Sequence, residues 1–200
     1  MNNFQKILKV SSLAVIVVFA FGIPSGASIS RPSAPATHSV VGHVVKTKKV
    51  AFKGTYKGTI ALLMVGPAGQ SASSVTVSSL KGTGTGTDLG SSTVTATGSA
   101  PAANQCDELM GAGNITGSGS KLLLKVVTSA ASQGCAAGTS TPTSVSVKGV
   151  AKVTGGTGKF KGVSGTLSFK GSFNVTSNTS GSSESDSFSA TLTGTLTIKS

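Results

Sequence analysis

The chain has no tryptophan, one tyrosine and two histidines in 200 residues. Acids are as scarce: five Asp and Glu stand against 17 Lys and Arg, for a formal net charge of +12. Each shortage removes a class of function. Without tryptophan there is no ring of the kind that stacks on sugars in carbohydrate-binding modules. His38 and His43 both precede the region where regular structure is expected. A Ser-His-Asp triad in that region therefore has no base. The two histidines have no cysteine or acid beside them, which makes a poor metal-ligand set. The acids are Asp88, Asp107, Glu108, Glu184 and Asp186. A glycosidase needs two carboxylates facing across a cleft, and Asp107-Glu108 and Glu184-x-Asp186 read as pairs in loop-like sequence. No residue set calls for a metal ion or a cofactor.

What is present begins at the N-terminus. Lys6 and Lys9 precede an apolar run from Val10 to Ile23, and Ser25-Gly26-Ala27 follows with small residues. That order is the grammar of a secretory signal peptide over residues 1–27. The run is short for a bilayer span, which needs about 20 apolar residues. Residues 28–49 read as a flexible basic linker, with Pro32, Pro35 and the cluster Lys46, Lys48 and Lys49. Residues 50–200 are the expected folded domain. Cys106 and Cys135 are the only cysteines. In a secreted chain an even count suggests a disulfide, with two buried thiols as the alternative.

From residue 50 the hydrophobic period is two. Phe52, Gly54, Tyr56, Gly58, Ile60, Leu62 and Met64 share one face, against Lys53, Thr55, Lys57 and Thr59 on the other. From Ser164 to Val175, Gly165, Leu167, Phe169, Gly171, Phe173 and Val175 alternate with Ser164, Thr166, Ser168, Lys170, Ser172 and Asn174. Phe188, Ala190, Leu192, Gly194, Leu196 and Ile198 alternate with serines and threonines. Such patterns belong to antiparallel strands with one buried and one wet face. Weaker strands are expected at 74–80, 91–97, 121–128 and 144–153. No window offers a capped amphipathic helix. The fold class is therefore all-β: an antiparallel closed barrel of about eight strands, or a β-sandwich. Glycines at inward positions, such as Gly58, Gly149 and Gly194, favour the barrel, because coiled strands need kinks.

The stretch Gly155-Gly156-Thr157-Gly158-Lys159-Phe160, with Gly162 and Gly165 behind it, looks at first like a phosphate loop. A phosphate loop must open a helix, and here a strand follows. The glycines then shape a strand–turn–strand corner with Phe160 packed against the barrel. The same stretch resembles the G-G-T-G-[RK]-F-x-G-x-x-G signature of the allene oxide cyclase and dirigent families, which many secreted bacterial proteins also carry. The resemblance covers about 25 residues. It implies a calycin-like, eight-stranded barrel around an apolar cavity, often assembled as a homo-oligomer. It also implies chemistry by acids and arginine inside that cavity. The sole arginine here, Arg31, lies in the linker, and the glutamates are Glu108 and Glu184.

Two functional readings follow. One is a secreted, non-catalytic barrel that binds a small apolar ligand or an anionic cell-surface polymer. Lys53, Lys57, Lys148, Lys152 and Lys170 fall on expected outward faces and would meet the polymer. Nucleic acid fits poorly, because aromatics do not alternate with these lysines. The other is a cavity-based isomerase or cyclase.

Overall fold

The computed structural model describes residues 46–199. The expected signal peptide and most of the expected linker lie outside the described residues. The ten strands are β1 (Thr47–Val65), β2 (Ser74–Gly86), β3 (Gly90–Pro101), β4 (Cys106–Glu108), β5 (Met110–Gly117), β6 (Ser120–Val126), β7 (Gln133–Ala136), β8 (Thr143–Thr157), β9 (Ser164–Val175) and β10 (Ser183–Lys199). One 3-10 turn, Gly158–Phe160, joins β8 to β9.

Eight strands close a ring in the order β8, β6, β5, β3, β2, β1, β10, β9 and back to β8. Every pairing is antiparallel. The closed barrel stands and the sandwich does not. The linker boundary moves slightly: Lys48 and Lys49 already belong to β1, pairing with Ile198 and Thr197 of β10. Neither strand alone would be stable. Their long register, from Thr47↔Lys199 to Leu63↔Ser183, lets the alternating faces of both sequences meet side by side.

One end of the barrel is plugged. The β2–β3 and β5–β6 hairpins and the β8–β9 turn gather there. Leu89, Ile115, Leu122, Phe160, Leu167 and Leu196 are each 0% exposed. Gly158 opens the turn at φ 60°, a conformation glycine adopts without steric cost. Gly155 and Gly156 are not in the turn; they are late residues of β8, opposite Leu123 and Leu122. Gly162 lies just past the turn, and Gly165 is the second residue of β9. The corner thus delivers Phe160 to the core, held by Lys161 N–H donating to the Gly158 carbonyl and Val163 N–H to that of Phe160.

The other end is looser. The β9–β10 ladder stops at Ser172↔Ser189, although β9 runs on to Val175 and β10 starts at Ser183. Two carboxylates occupy the gap. Asp186 accepts the Asn174 N–H at 2.7 Å, and Glu184 accepts the Thr176 N–H at 2.9 Å and the Thr176 hydroxyl. These acids take the place of the ladder partners that the β9–β10 pairing no longer supplies there. They were expected in a loop; they are strand residues instead. Above β5 and β6 the wall is continued by β4 and β7, which lie outside the ring and pair through Cys106↔Cys135. Those two cysteines form a disulfide with a Cα–Cα distance of 4.1 Å.

Candidate functional site

The inward side chains do not fill the barrel. Above the plug lies a cavity of about 320 Å³. Its walls come from nearly every strand of the ring: Ile60 of β1, Val77 of β2, Ala96 of β3, Val147 of β8, Phe169 of β9 and Leu192 of β10 all line it. The sequence builds this space with small inward residues. Gly98, Gly111, Gly113, Gly171 and Ala190 stand where larger side chains would have met across the lumen. At Gly111 and Gly113 an added Cβ would come within 2.7 Å and 2.6 Å of the carbonyl oxygens of Thr97 and Thr95. The neighbouring backbone therefore approaches too closely for any other residue.

Four aromatic residues line the cavity, Tyr56, Phe169, Phe173 and Phe188, and the rings of all but Phe173 lie over strand glycines. The Phe188 ring covers Gly82, where a Cβ would sit 2.7 Å from its Cζ. The Phe169 ring covers Gly149 at a corresponding 2.5 Å. Tyr56 lies over Gly54, its Cε2 2.8 Å from a Cβ placed there. The rings repay the glycines for lost side-chain packing and leave the lumen open between them.

Tyr56 lines the cavity and is 1% exposed. Its hydroxyl reaches into the plugged end, where it lies 3.1 Å from Ser92 Oγ. Burial pushes the phenol above its ordinary value of 10.0, and the Ser92 hydrogen bond opposes this with a smaller effect. The group is therefore a neutral phenol at physiological pH. It already has a hydrogen-bond partner and is poorly placed to act as a base.

The rim is more polar. Asp107 is buried and lines the mouth. Both its oxygens are engaged by one residue: Oδ2 accepts the Asn104 N–H at 2.9 Å and Oδ1 accepts Asn104 Nδ2 at 2.8 Å. Glu108, next in β4, is exposed. Glu184 and Asp186 share the parity of Phe188 on β10, but they accept hydrogen bonds from Thr176 and Asn174 and do not line the cavity. No group of three or more His, Cys, Asp or Glu among the described residues could hold a metal ion.

All five lysines singled out from sequence are exposed. Lys148, Lys152 and Lys170 come together on β8 and β9, with Lys148 directly opposite Lys170. Lys53 and Lys57 stand on β1, on the far side of β10. Sequence reasoning missed the Tyr56–Ser92 contact. Inward alternation marked Tyr56, but nothing in the sequence marks Ser92 as its partner 36 residues away.

No family model, curated protein or solved structure matches the chain.

Proposed function

We propose that this chain is a secreted, non-catalytic β-barrel protein that holds a small apolar ligand in its lumen. The observation that carries this reading is the cavity, about 320 Å³, whose wall surface is mostly apolar with polar residues among its lining. That volume is at the lower end of small-molecule sites, which run from about 300 to 1,000 Å³. Filling it would bury apolar surface on both ligand and wall, at about 25 cal/mol per Å². The barrel is apolar inside and carries Lys, Ser and Thr outside, the reverse of a membrane-spanning barrel. Secretion is supported by the signal-peptide pattern and by the Cys106–Cys135 disulfide, a bond typical of oxidising compartments.

The resemblance to allene oxide cyclase and dirigent barrels supports the same architecture and offers an isomerase or cyclase as the other reading. The lumen favours binding over chemistry. Its ionisable groups are Tyr56, held by Ser92, and Asp107, held by Asn104. Neither presents a free acid or base to a ligand.

The test is titration with a naphthylamine fluorophore that brightens in apolar surroundings. Val147 faces inward between Gly134 of β7 and Gly171 of β9. A phenylalanine there has room to lie over the glycines and block the lumen. Saturable brightening in the parent protein, lost in Val147→Phe at unchanged melting temperature, supports the proposal. Equal brightening in both would mean that the dye binds elsewhere.

A further inference from the structure

Independently of the cavity, the outer wall carries a cluster of positive charge. Lys125 of β6 lies directly opposite Lys152 of β8, and Lys148 of β8 directly opposite Lys170 of β9. All four side chains are exposed. Like charges directly opposite on a sheet repel and cost stability, so two such pairs on adjoining strands need a reason. At strand spacing the four ammonium groups share an area of roughly 13 by 10 Å.

One carboxylate stands on the same face: exposed Glu108 of β4 shares the row of Lys148 and Lys170, one strand beyond Gln133 of β7. Against four lysines it leaves most of the charge in place. Outward positions of β8, β9 and β10 carry Ser, Thr, Asn, Lys and one Val, with no carboxylate. The acids of β10, Glu184 and Asp186, are on its other face and accept hydrogen bonds from Thr176 and Asn174. Beside the cluster runs a row of hydroxyls: Thr191 is opposite Lys170, and Thr193 and Thr195 are opposite Ser168 and Thr166. Beyond that row stand Lys53 and Lys57.

We propose that this face docks an anionic polysaccharide. The lysines would meet its sulfate or carboxylate groups, and the serine and threonine rows would exchange hydrogen bonds with its hydroxyls. Charge complementarity selects a polyanion. Phe52, Tyr56, Phe160, Phe169, Phe173 and Phe188 all belong to the core or pack against it. Among the described residues no ring is left outside to stack on an unpaired base, and the polysaccharide would be held by charge and hydroxyl contacts without ring stacking. The serine and threonine rows favour a hydroxyl-rich polyanion.

The experiment measures affinity of the full chain for heparin as the probe at several salt concentrations. Two fourfold variants lose the same net charge. One is Lys125→Gln, Lys148→Gln, Lys152→Gln and Lys170→Gln; the other replaces Lys49, Lys81, Lys159 and Lys199 by Gln. The expected result is roughly a tenfold or greater loss with a shallower salt dependence for the first variant. A loss of no more than about threefold is expected for the second. The first variant should melt no lower than the parent, since it removes repulsion. If it does not fold, the double variant Lys125→Gln, Lys152→Gln is read in the same way. Equal losses in both variants would reduce the effect to net charge and overturn the proposal. So would tighter binding to duplex DNA or to phosphatidylglycerol vesicles than to heparin at matched salt.

Discussion

Phe160→Ala tests the architecture of the plugged end. The ring is 0% exposed and belongs to the main core. Its backbone is held separately, by the Lys161 and Val163 N–H groups, so truncation removes the ring without unmaking the turn. Phe-to-Ala changes at fully buried sites cost about 3–5 kcal/mol, combining lost transfer energy with the cavity left behind. For a domain of this size each kcal/mol lowers Tm by about 2–4 °C. The expected fall is therefore about 6–20 °C. Thermal melts by circular dichroism, with urea unfolding to confirm an unchanged m-value, would measure it. Because Phe160 does not line the cavity, apolar dye binding there should persist at low temperature. A Tm within about 2 °C of the parent would show that Phe160 does not plug the barrel, and the account of its glycine-rich turn would fail with it.

Other perturbations probe other parts. Tyr56 is the only tyrosine, so ultraviolet titration reads it alone; burial places its ionisation above 10.0. A folded-state value raised in this way stabilises the protein fully below pH 10 and loses that contribution as pH rises beyond it. The alkaline fall in Tm should therefore flatten in Tyr56→Phe; an identical fall in both proteins would contradict burial of the phenol. Gly149→Ala would drive a Cβ to within 2.5 Å of Phe169 Cζ and 2.7 Å of Ser132 Oγ, costing roughly 1–3 kcal/mol and pressing the Phe169 ring toward the lumen. Urea unfolding and dye titration should both register it, and no change in either would refute the ring-on-glycine packing. Replacing Cys106 and Cys135 by serine removes a link across 29 residues, worth about 3–4 kcal/mol. Since β4 and β7 lie outside the ring, the far-ultraviolet spectrum of the folded variant should stay that of the parent, and loss of its β signal at 25 °C would refute that placement.

How far the sequence discloses this structure depends on the density of its alternation. The strand expected from Ser164 to Val175 has those bounds, because seven or more consecutive positions obey period two with large inward residues. β5 was not expected, although it closes the ring between β3 and β6. Its inward positions include Gly111, Gly113 and Gly117, which carry no hydrophobic signal. β2 was expected to end near Leu80 because its last six residues, Lys-Gly-Thr-Gly-Thr-Gly, carry no hydrophobic side chain. β4 and β7 are three and four residues long, too short to show a period, and depend on pairing with each other. The cavity was legible only as a side chain inventory. Periodicity states which residues face inward, but whether they meet depends on strand number and on which glycines lie under a ring. Gly82 and Phe188 are far apart in sequence, and only the closed barrel brings them together.

The central claim is that the lumen holds an apolar ligand. Native mass spectrometry of the protein purified from its own source tests it most directly. The account predicts a mass excess of one small molecule per barrel, released on unfolding and absent from Val147→Phe prepared in the same way. A bare polypeptide mass under gentle desalting, together with no saturable uptake of an apolar dye, would contradict it.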